Sequence, residues 1–258
     1  MFDASSPFAR LATPPGAEPR IETATRRLRQ AVVSCDLAPG AFVNEASLVE
    51  RFSLGRAGVR VALTALSAAG FVSRHARQGW RIAPIDGRLV EAVLDARRRL
   101  EPSLATLRPT DADRKTLLQL SETVAAASGR TERAALATAR AADRQLRNLL
   151  AAAADDIGRR WFADMWDHAD RIIRSLDLAG HPIPADDRRA LIDAIAAGDE
   201  TTARQAIEQD IERYATAVAR GLMATDARRQ EPAPRSARRR LARPAASIRI
   251  ETNNRAKE

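Results

Sequence analysis

The chain has 258 residues, of which 45% are hydrophobic and only 4% aromatic, and its formal net charge is +9. This composition predicts packed domains, and abundant alanine with few aromatic residues favours helices over extended sheets. The single cysteine, Cys35, excludes an intramolecular disulfide; without a membrane-length apolar run or a signal-peptide pattern, we expect a cytoplasmic protein with no membrane partner.

Basic residues are concentrated toward the two ends of the chain. Residues 21–85 carry a net charge of +5 and residues 226–258 carry +6, which leaves residues 86–225 slightly acidic because residues 1–20 are balanced. Basic segments of this kind are typical of proteins that bind polyanions, so we expect a nucleic acid as partner.

The first 85 residues predict a disordered segment followed by a small domain. Residues 1–20 contain four prolines and little periodicity, so we expect no fixed structure there. Apolar residues at helical spacing predict three helices, over residues 21–35, 45–52 with Asn44 as N-cap, and 56–69. The stretch 71–85 alternates apolar and polar residues around a basic turn, which predicts a small β-hairpin.

The third predicted helix has two different faces. Val59, Leu63 and Leu66 form an apolar stripe, whereas Arg56, Arg60 and Thr64 lie on the opposite side. Two helices joined by a short turn, the second with a basic face, predict a helix-turn-helix that places its second helix in the DNA major groove. The hairpin would be a wing, with Arg74, Arg77, Gln78 and Gly79 as further DNA-contact candidates. The alternative is that Arg56 and Arg60 are solvated surface charges.

Fourteen residues between positions 37 and 72 follow a known pattern. They are Leu37, Pro39, Gly40, Glu45, Leu48, Arg56, Val59, Arg60, Ala62, Leu63, Leu66, Gly70, Phe71 and Val72. The segment resembles the winged helix-turn-helix of the GntR family of bacterial transcription regulators, which implies binding to a double-stranded operator.

The chain departs from that pattern around the start of the third helix. Ser53 and Gly55 stand where the family has Gly and Ser, Gly58 replaces a proline, and Val61 replaces a glutamate. Loss of the serine hydroxyl predicts a helix start without its N-cap and phosphate contact, and Gly58 predicts a looser first turn.

The remaining sequence predicts an all-α bundle and then a basic tail. Helical periodicity indicates six segments, near residues 87–107, 110–128, 131–154, 156–176, 185–197 and 200–223. Trp161, Met165 and Trp166 cluster on one of them, where core packing or a dimer contact accounts for them. Residues 226–258 are rich in Pro and Arg, which predicts a disordered tail after a helical domain of residues 86–225.

Two motifs in the second part resemble the FadR-type, or FCD, ligand-sensing domain of the same family. They are ARRRLEPSLATL at 96–107 and LIDAIAAGDETTARQAI at 191–207. The resemblance extends roughly over residues 87–223. It implies a domain that forms a homodimer and binds a small organic acid or related metabolite, which alters operator affinity.

Many FCD domains also hold a metal ion through an aspartate and three histidines. The aspartate corresponds to Asp143, but the histidine positions fall at Arg147, Arg188 and Asp210, so we expect no bound metal. Arg147 and Arg188 would instead capture an anionic ligand, oriented by the two aspartates, with Arg97 as a further candidate. The alternative is an internal salt-bridge network that fills the cavity and leaves no effector site.

No enzyme constellation emerges from the sequence. Asp164 and His168 share a helical face, but a surface ion pair accounts for them better than a metal, and His75 and His181 have no partners. Nucleophile-elbow glycines and a Gly-rich phosphate loop are missing. An enzyme built on the helical bundle remains a third interpretation without a residue set.

The sequence thus predicts a mostly α protein, in which a winged helix-turn-helix of three helices and a small hairpin precedes an FCD-like bundle. We expect a dimeric transcription regulator, acting as a repressor, that binds a palindromic operator and responds to an anionic metabolite. The alternative is a nonspecific nucleic-acid-binding protein dominated by its basic tail.

Overall fold

The computed structural model describes residues 18–230, and residues 1–17 and 231–258, which include most of both predicted disordered segments, lie outside that range. Within it the chain forms nine α-helices and one three-stranded sheet. The helices are α1 (Glu18–Val33), α2 (Glu45–Phe52), α3 (Arg56–Ala68), α4 (Gly87–Leu100), α5 (Asp111–Ala126), α6 (Arg133–Ala152), α7 (Asp156–Leu178), α8 (Arg189–Ala197) and α9 (Glu200–Gln230). The strands are β1 (Phe42–Val43), β2 (Val72–His75) and β3 (Gly79–Ile82), and a 3-10 helix covers Glu101–Thr106.

The first domain, hereafter the head, comprises α1 to α3 and the sheet. Its helices pack around a buried core that includes Leu28, Leu48, Leu63 and Phe71. The sheet has the order β1-β3-β2 with both pairs antiparallel, so the predicted hairpin is β2 and β3. Strand β1 was not predicted, because two residues are too few for an alternating pattern.

The second domain, hereafter the bundle, comprises α4 to α9. One core lies between α5, α6, α8 and α9 and includes Leu117, Leu146, Ile192 and Ile207. A second joins α4 to α7 and α9 through residues such as Val93. None of the helices within residues 18–230 combines the length and apolar content needed to cross a bilayer.

The predicted fold class is confirmed, and several helix ends are found as expected. Asn44 caps α2 by accepting a hydrogen bond from the Ser47 amide at 2.8 Å, and Thr110 caps α5 by accepting one from the Asp113 amide. Gly198 ends α8 in the left-handed conformation, with φ of 73°.

Several helix ends differ from the sequence prediction. Helix α1 begins at Glu18, within the segment predicted to be disordered, and α4 ends at Leu100, where a 3-10 helix takes over, and not at 107. Helix α1 stops at Val33, because Cys35 adopts a left-handed φ of 61° that a helix does not allow. Helix α8 begins at Arg189 and not at 185, since the Asp187 carboxylate binds the Arg189 amide at the helix start. Helix α9 continues to Gln230, so the first residues of the predicted disordered tail are helical.

Candidate DNA interface and effector site

Helix α3 carries the three side chains predicted to read DNA on its exposed face. All its buried residues belong to the apolar side predicted from the sequence. Arg56, Arg60 and Thr64 are exposed, and the Thr64 hydroxyl donates to the Arg60 carbonyl at 3.0 Å. The helix therefore presents two guanidinium groups about one turn apart, a spacing from which both can reach DNA when the helix lies in the major groove.

Arg60 is held by an acidic residue of the preceding helix. Its Nη2 lies 3.2 Å from Glu45 Oε2, and its side chain is 72% exposed. An exposed pair of this kind contributes at most about 1 kcal/mol, so DNA phosphates or bases can compete for the guanidinium.

The turn before α3 contains the exchanged Ser53 and Gly55. Ser53 ends α2 in the left-handed conformation with φ of 50°, where the family pattern has glycine. Gly55 occupies the N-cap of α3 and supplies no side-chain hydrogen bond, as predicted. Glycine would therefore suit the left-handed position 53, and serine would suit the N-cap position 55.

The wing candidates lie on the hairpin and its turn. Arg74, Arg77 and Gln78 are exposed, and Arg74 is opposite Trp80 across the β2–β3 pair. Arg77 has a left-handed φ of 66° in the tip of the wing. The hairpin therefore places two arginines and an amide side chain in solvent, in the same domain as α3.

Gly79 is required by a contact within the head. Its φ is 89°, and a Cβ atom at this position would lie 2.6 Å from the Val43 carbonyl oxygen. The close approach of β1 accounts for the absence of a side chain at this position.

Helix α7 of the bundle contacts the head through ion pairs. Arg29 on α1 forms ion pairs with both Asp164 and Asp167 on α7, at 2.6 Å and 2.5 Å. Asp164 and His168 were predicted to form a surface ion pair; Asp164 instead pairs with Arg29.

His168 and Arg171 add further contacts between the head and the bundle. The His168 ring stacks on Phe71 with centroids 3.9 Å apart, and its Nε2 lies 2.9 Å from the Ala69 carbonyl oxygen. Burial lowers the pKa of His168, and the charges of Arg171 and Arg29 lower it further. Arg171 is fully buried and donates to the Ala83 carbonyl.

Four of the five predicted effector residues meet in one ion cluster. Asp143 lies between Arg147 and Arg188, with both oxygen–nitrogen distances at 2.9 Å, and Arg188 also pairs with Asp210. Burial alone would raise the pKa of Asp143, but attraction to Arg188 and Arg147 outweighs it and lowers the pKa to about 2. The Arg147 and Arg188 guanidinium groups therefore face an Asp143 carboxylate that is ionised at neutral pH.

Arg97, the fifth predicted residue, is committed to other partners. It is buried and forms a bidentate pair with Glu101, at 2.8 and 3.1 Å. Its guanidinium carbon lies 4.5 Å from the centre of the Tyr214 ring, and Trp166 Nε1 donates to the same glutamate. Trp166 is thus a core residue, as one of its two predicted roles requires.

The ion cluster continues to the head through residues that the sequence prediction missed. Arg147 also binds Asp170 on α7, and Arg144 bridges Asp170 and Asp167 at 2.6 and 2.8 Å. Asp167 is the residue that pairs with Arg29, so alternating charges connect Arg188 to α1. The spacing of these residues is visible in the sequence, but no single helix pattern reveals which residues face each other.

A cavity of about 1510 Å³ lies between α1 and the bundle. On one side it is lined by Asp143, Arg147 and Arg188 of the ion cluster. On the other side it is lined by the face of α1 that carries Arg26, Arg29 and Gln30. The salt-bridge network predicted as an alternative exists, yet it leaves this volume open. The space exceeds that needed for a metabolite.

The residues at the family's metal position do not fit a metal ion. Two of the four positions are arginines, whose guanidinium groups donate hydrogen bonds and offer no lone pair. Both aspartates are already neutralised by these arginines.

Family models match both parts of the chain. Residues 20–82 match the bacterial regulatory proteins of the gntR family, and residues 92–213 match the FCD domain. A similar solved structure is E. coli McbR/YncC, with TM-score 0.64, 18% identity, and coverage of 78% of this chain and 97% of that one. A GntR transcriptional regulator from Rhodococcus sp. RHA1 has TM-score 0.58, 19% identity, and coverage of 80% and 99%. No curated protein matches in sequence.

Identities this low show a shared fold, whereas the family models identify the domains. Both family models describe regulatory proteins, which confirms the prediction that the chain is not an enzyme. The head is a DNA-binding domain and the bundle a ligand-binding domain. The chain belongs to the GntR family of bacterial transcription regulators, in the branch with an FCD domain.

Proposed function

We propose that the protein is a homodimeric, cytoplasmic repressor that binds a palindromic operator and releases or tightens its hold when an anionic metabolite binds. The observation that carries the proposal is the exposed face of α3, where Arg56, Arg60 and Thr64 stand opposite a fully buried stripe. A surface helix with this arrangement offers side chains to a groove without disturbing the core.

In this account α3 lies in the major groove and the wing lies over the adjacent backbone. Arg56 and Arg60 bind guanine edges or phosphates, and Arg60 exchanges Glu45 for DNA. Arg74, Arg77 and Gln78 contact phosphates or the minor groove, which fixes the position of the head on the duplex. Gly79 contributes indirectly, because it lets the wing pack closely against β1.

The homodimer would use the start of α7. Ile157 and Trp161 are one turn apart, and 63% and 58% of their surfaces are exposed. Two large apolar side chains in solvent are costly, and a two-fold contact between bundles would cover them. Two symmetry-related heads then require a palindromic site.

The effector would occupy the cavity between α1 and the bundle without a metal. Ten arginines and six carboxylates line the cavity, which favours an anionic ligand. Arg97, Asp143, Arg147, Arg188 and Asp210 form its inner wall and the core beneath it. Because α1 belongs to the head, a ligand in this space changes how firmly the head is held, and thus the spacing of the two α3 helices.

Selection of bound sequences from a random duplex pool tests the proposal. At about 150 mM salt, where long-range phosphate attraction is screened, we expect a palindromic consensus for the wild type and none for Arg56→Ala/Arg60→Ala. The same pool with no consensus for either protein would favour the nonspecific binder.

A further inference from the structure

The arginines that line the cavity fall into two groups. Seven of the ten have a carboxylate partner: Arg29, Arg97, Arg140, Arg144, Arg147, Arg188 and Arg213. The other three, Arg26 on α1, Arg174 on α7 and Arg220 on α9, form no ion pair with any residue in the described range. On the inner wall, carboxylates therefore neutralise the arginines, and the uncompensated positive charge lies on the other three arginines.

The balanced inner wall disfavours an additional anion. Asp143 and Asp170 both pair with Arg147 there, so a ligand carboxylate or phosphate would lie beside two carboxylates that repel it. It would also have to compete with carboxylates that the fold holds in place. An anionic ligand therefore gains more from guanidinium groups that have no carboxylate partner.

The three unpaired arginines come from both domains. Arg174 Nε lies 3.3 Å from the Ser34 carbonyl oxygen at the end of α1, so this side chain already spans the boundary. Arg220 precedes Gly221, where α9 packs so closely on α7 that an added Cβ would lie 2.9 Å from Leu176. Arg26 belongs to α1, one turn before Arg29. Glu22 is the lining carboxylate that has no ion pair among the described residues, so an excess of positive charge remains.

We propose that the effector is a multiply charged anion, carrying phosphate or several carboxylate groups, that binds Arg174 and Arg220 of the bundle together with Arg26 of the head. This ligand class rests on the proposed effector function and makes it specific. By joining guanidinium groups from the two domains, the ligand holds the head on the bundle more firmly than a singly charged acid, which offsets fewer of the three positive charges.

Calorimetric titration of the full-length protein without DNA tests this assignment. The probes are tripolyphosphate and citrate, with acetate as the singly charged control at the same ionic strength. We expect tripolyphosphate or citrate to bind and acetate not to bind, with affinity about tenfold weaker for Arg174→Ala and for Arg220→Ala, since each loses a charge-assisted contact. The preferred probe separates phosphate from carboxylate ligands.

Matched variants separate a site from general charge. Arg160→Ala on α7 and Arg204→Ala on α9 remove the same charge from exposed residues that do not line the cavity. Both should bind the probe as the wild type does, whereas Arg26→Ala should weaken it. Equal weakening in all five variants, or no binding of either polyvalent probe, would overturn the inference. A palindromic consensus in the duplex selection would still stand in that case, so the two failures are distinguishable.

Discussion

Ser53 and Gly55 show how a single backbone conformation decides which residue is favourable. Ser53 occupies a left-handed position that costs a residue with a side chain roughly 1 kcal/mol, while Gly55 leaves the start of α3 without a cap. Nothing lies within 4 Å of a Cβ atom built on Gly55, so serine fits there.

The double variant Ser53→Gly/Gly55→Ser should therefore be more stable than the wild type. We expect a gain of about 1 kcal/mol from Ser53→Gly and a few tenths more from the new cap, measured by urea unfolding. Gly55→Ser alone should give only the smaller gain. A double variant less stable than the wild type would show that the turn is not strained.

Arg188 should be the residue on which the ion cluster depends most. Its removal leaves Asp143 and Asp210 with one partner fewer each, both largely buried. We expect Arg188→Ala to lower the free energy of unfolding by about 3 kcal/mol, whereas the neighbouring exposed Arg189→Ala should change it by less than about 1 kcal/mol.

The pH dependence of this loss identifies its cause. The pKa of Asp143 is lowered to about 2, so its contribution is present above the unfolded value near 4 and is lost as the pH falls toward 2. The difference between wild type and Arg188→Ala should shrink over that interval. A difference that is independent of pH would assign the loss to packing.

At the scale of elements, α7 connects the two domains through Asp167. This carboxylate binds Arg29 of the head and Arg144 of the bundle. Asp167→Asn should weaken the contact by about 1 kcal/mol and speed hydrogen exchange of the α1 amides about fivefold. The exposed Asp193→Asn serves as control and should leave these rates unchanged; equal rates in both variants would contradict a coupling role for Asp167.

His168 makes the same contact sensitive to acid. The pKa of His168 is lowered in the folded protein, so folding favours the neutral ring. His168 therefore contributes to the free energy of unfolding above about pH 6.5, the pKa of histidine in the unfolded chain, and this contribution is lost as the pH falls below that value. Protonation would also bury Nδ1–H without an acceptor within the described residues. Wild-type protein should lose melting temperature between pH 7.5 and 5.5 more steeply than His168→Gln, in which His75 and His181 are unchanged. Parallel curves would rule out this role.

Structure could be predicted where the residues within a single helix or hairpin determine it. The buried and exposed faces of α3 and the caps Asn44 and Thr110 follow from local patterns. The cavity and the path from Arg188 to Arg29 could not be predicted, since they depend on which faces of α1, α6, α7 and α9 meet. Four of the five candidate effector residues lie together, whereas Arg97 pairs with Glu101, and the carboxylate partner of Arg147 on α7 was visible only in three dimensions.

For the whole molecule, the order of the domains is what makes a regulator possible. A head whose α3 faces solvent contacts the bundle through α7, and an open cavity lies beside that contact. In the proposed account, a ligand in the cavity and DNA on α3 contact the same head from different sides, which is the requirement for mutual influence.

The most direct test of this account is the affinity of the protein for its selected operator and for a scrambled duplex, measured by fluorescence anisotropy at about 150 mM salt. We predict that Arg56→Ala/Arg60→Ala weakens operator binding at least tenfold and removes the preference over the scrambled duplex, while deletion of residues 231–258 keeps that preference. The account would be contradicted if the α3 variant kept the preference and the deletion abolished binding to both duplexes.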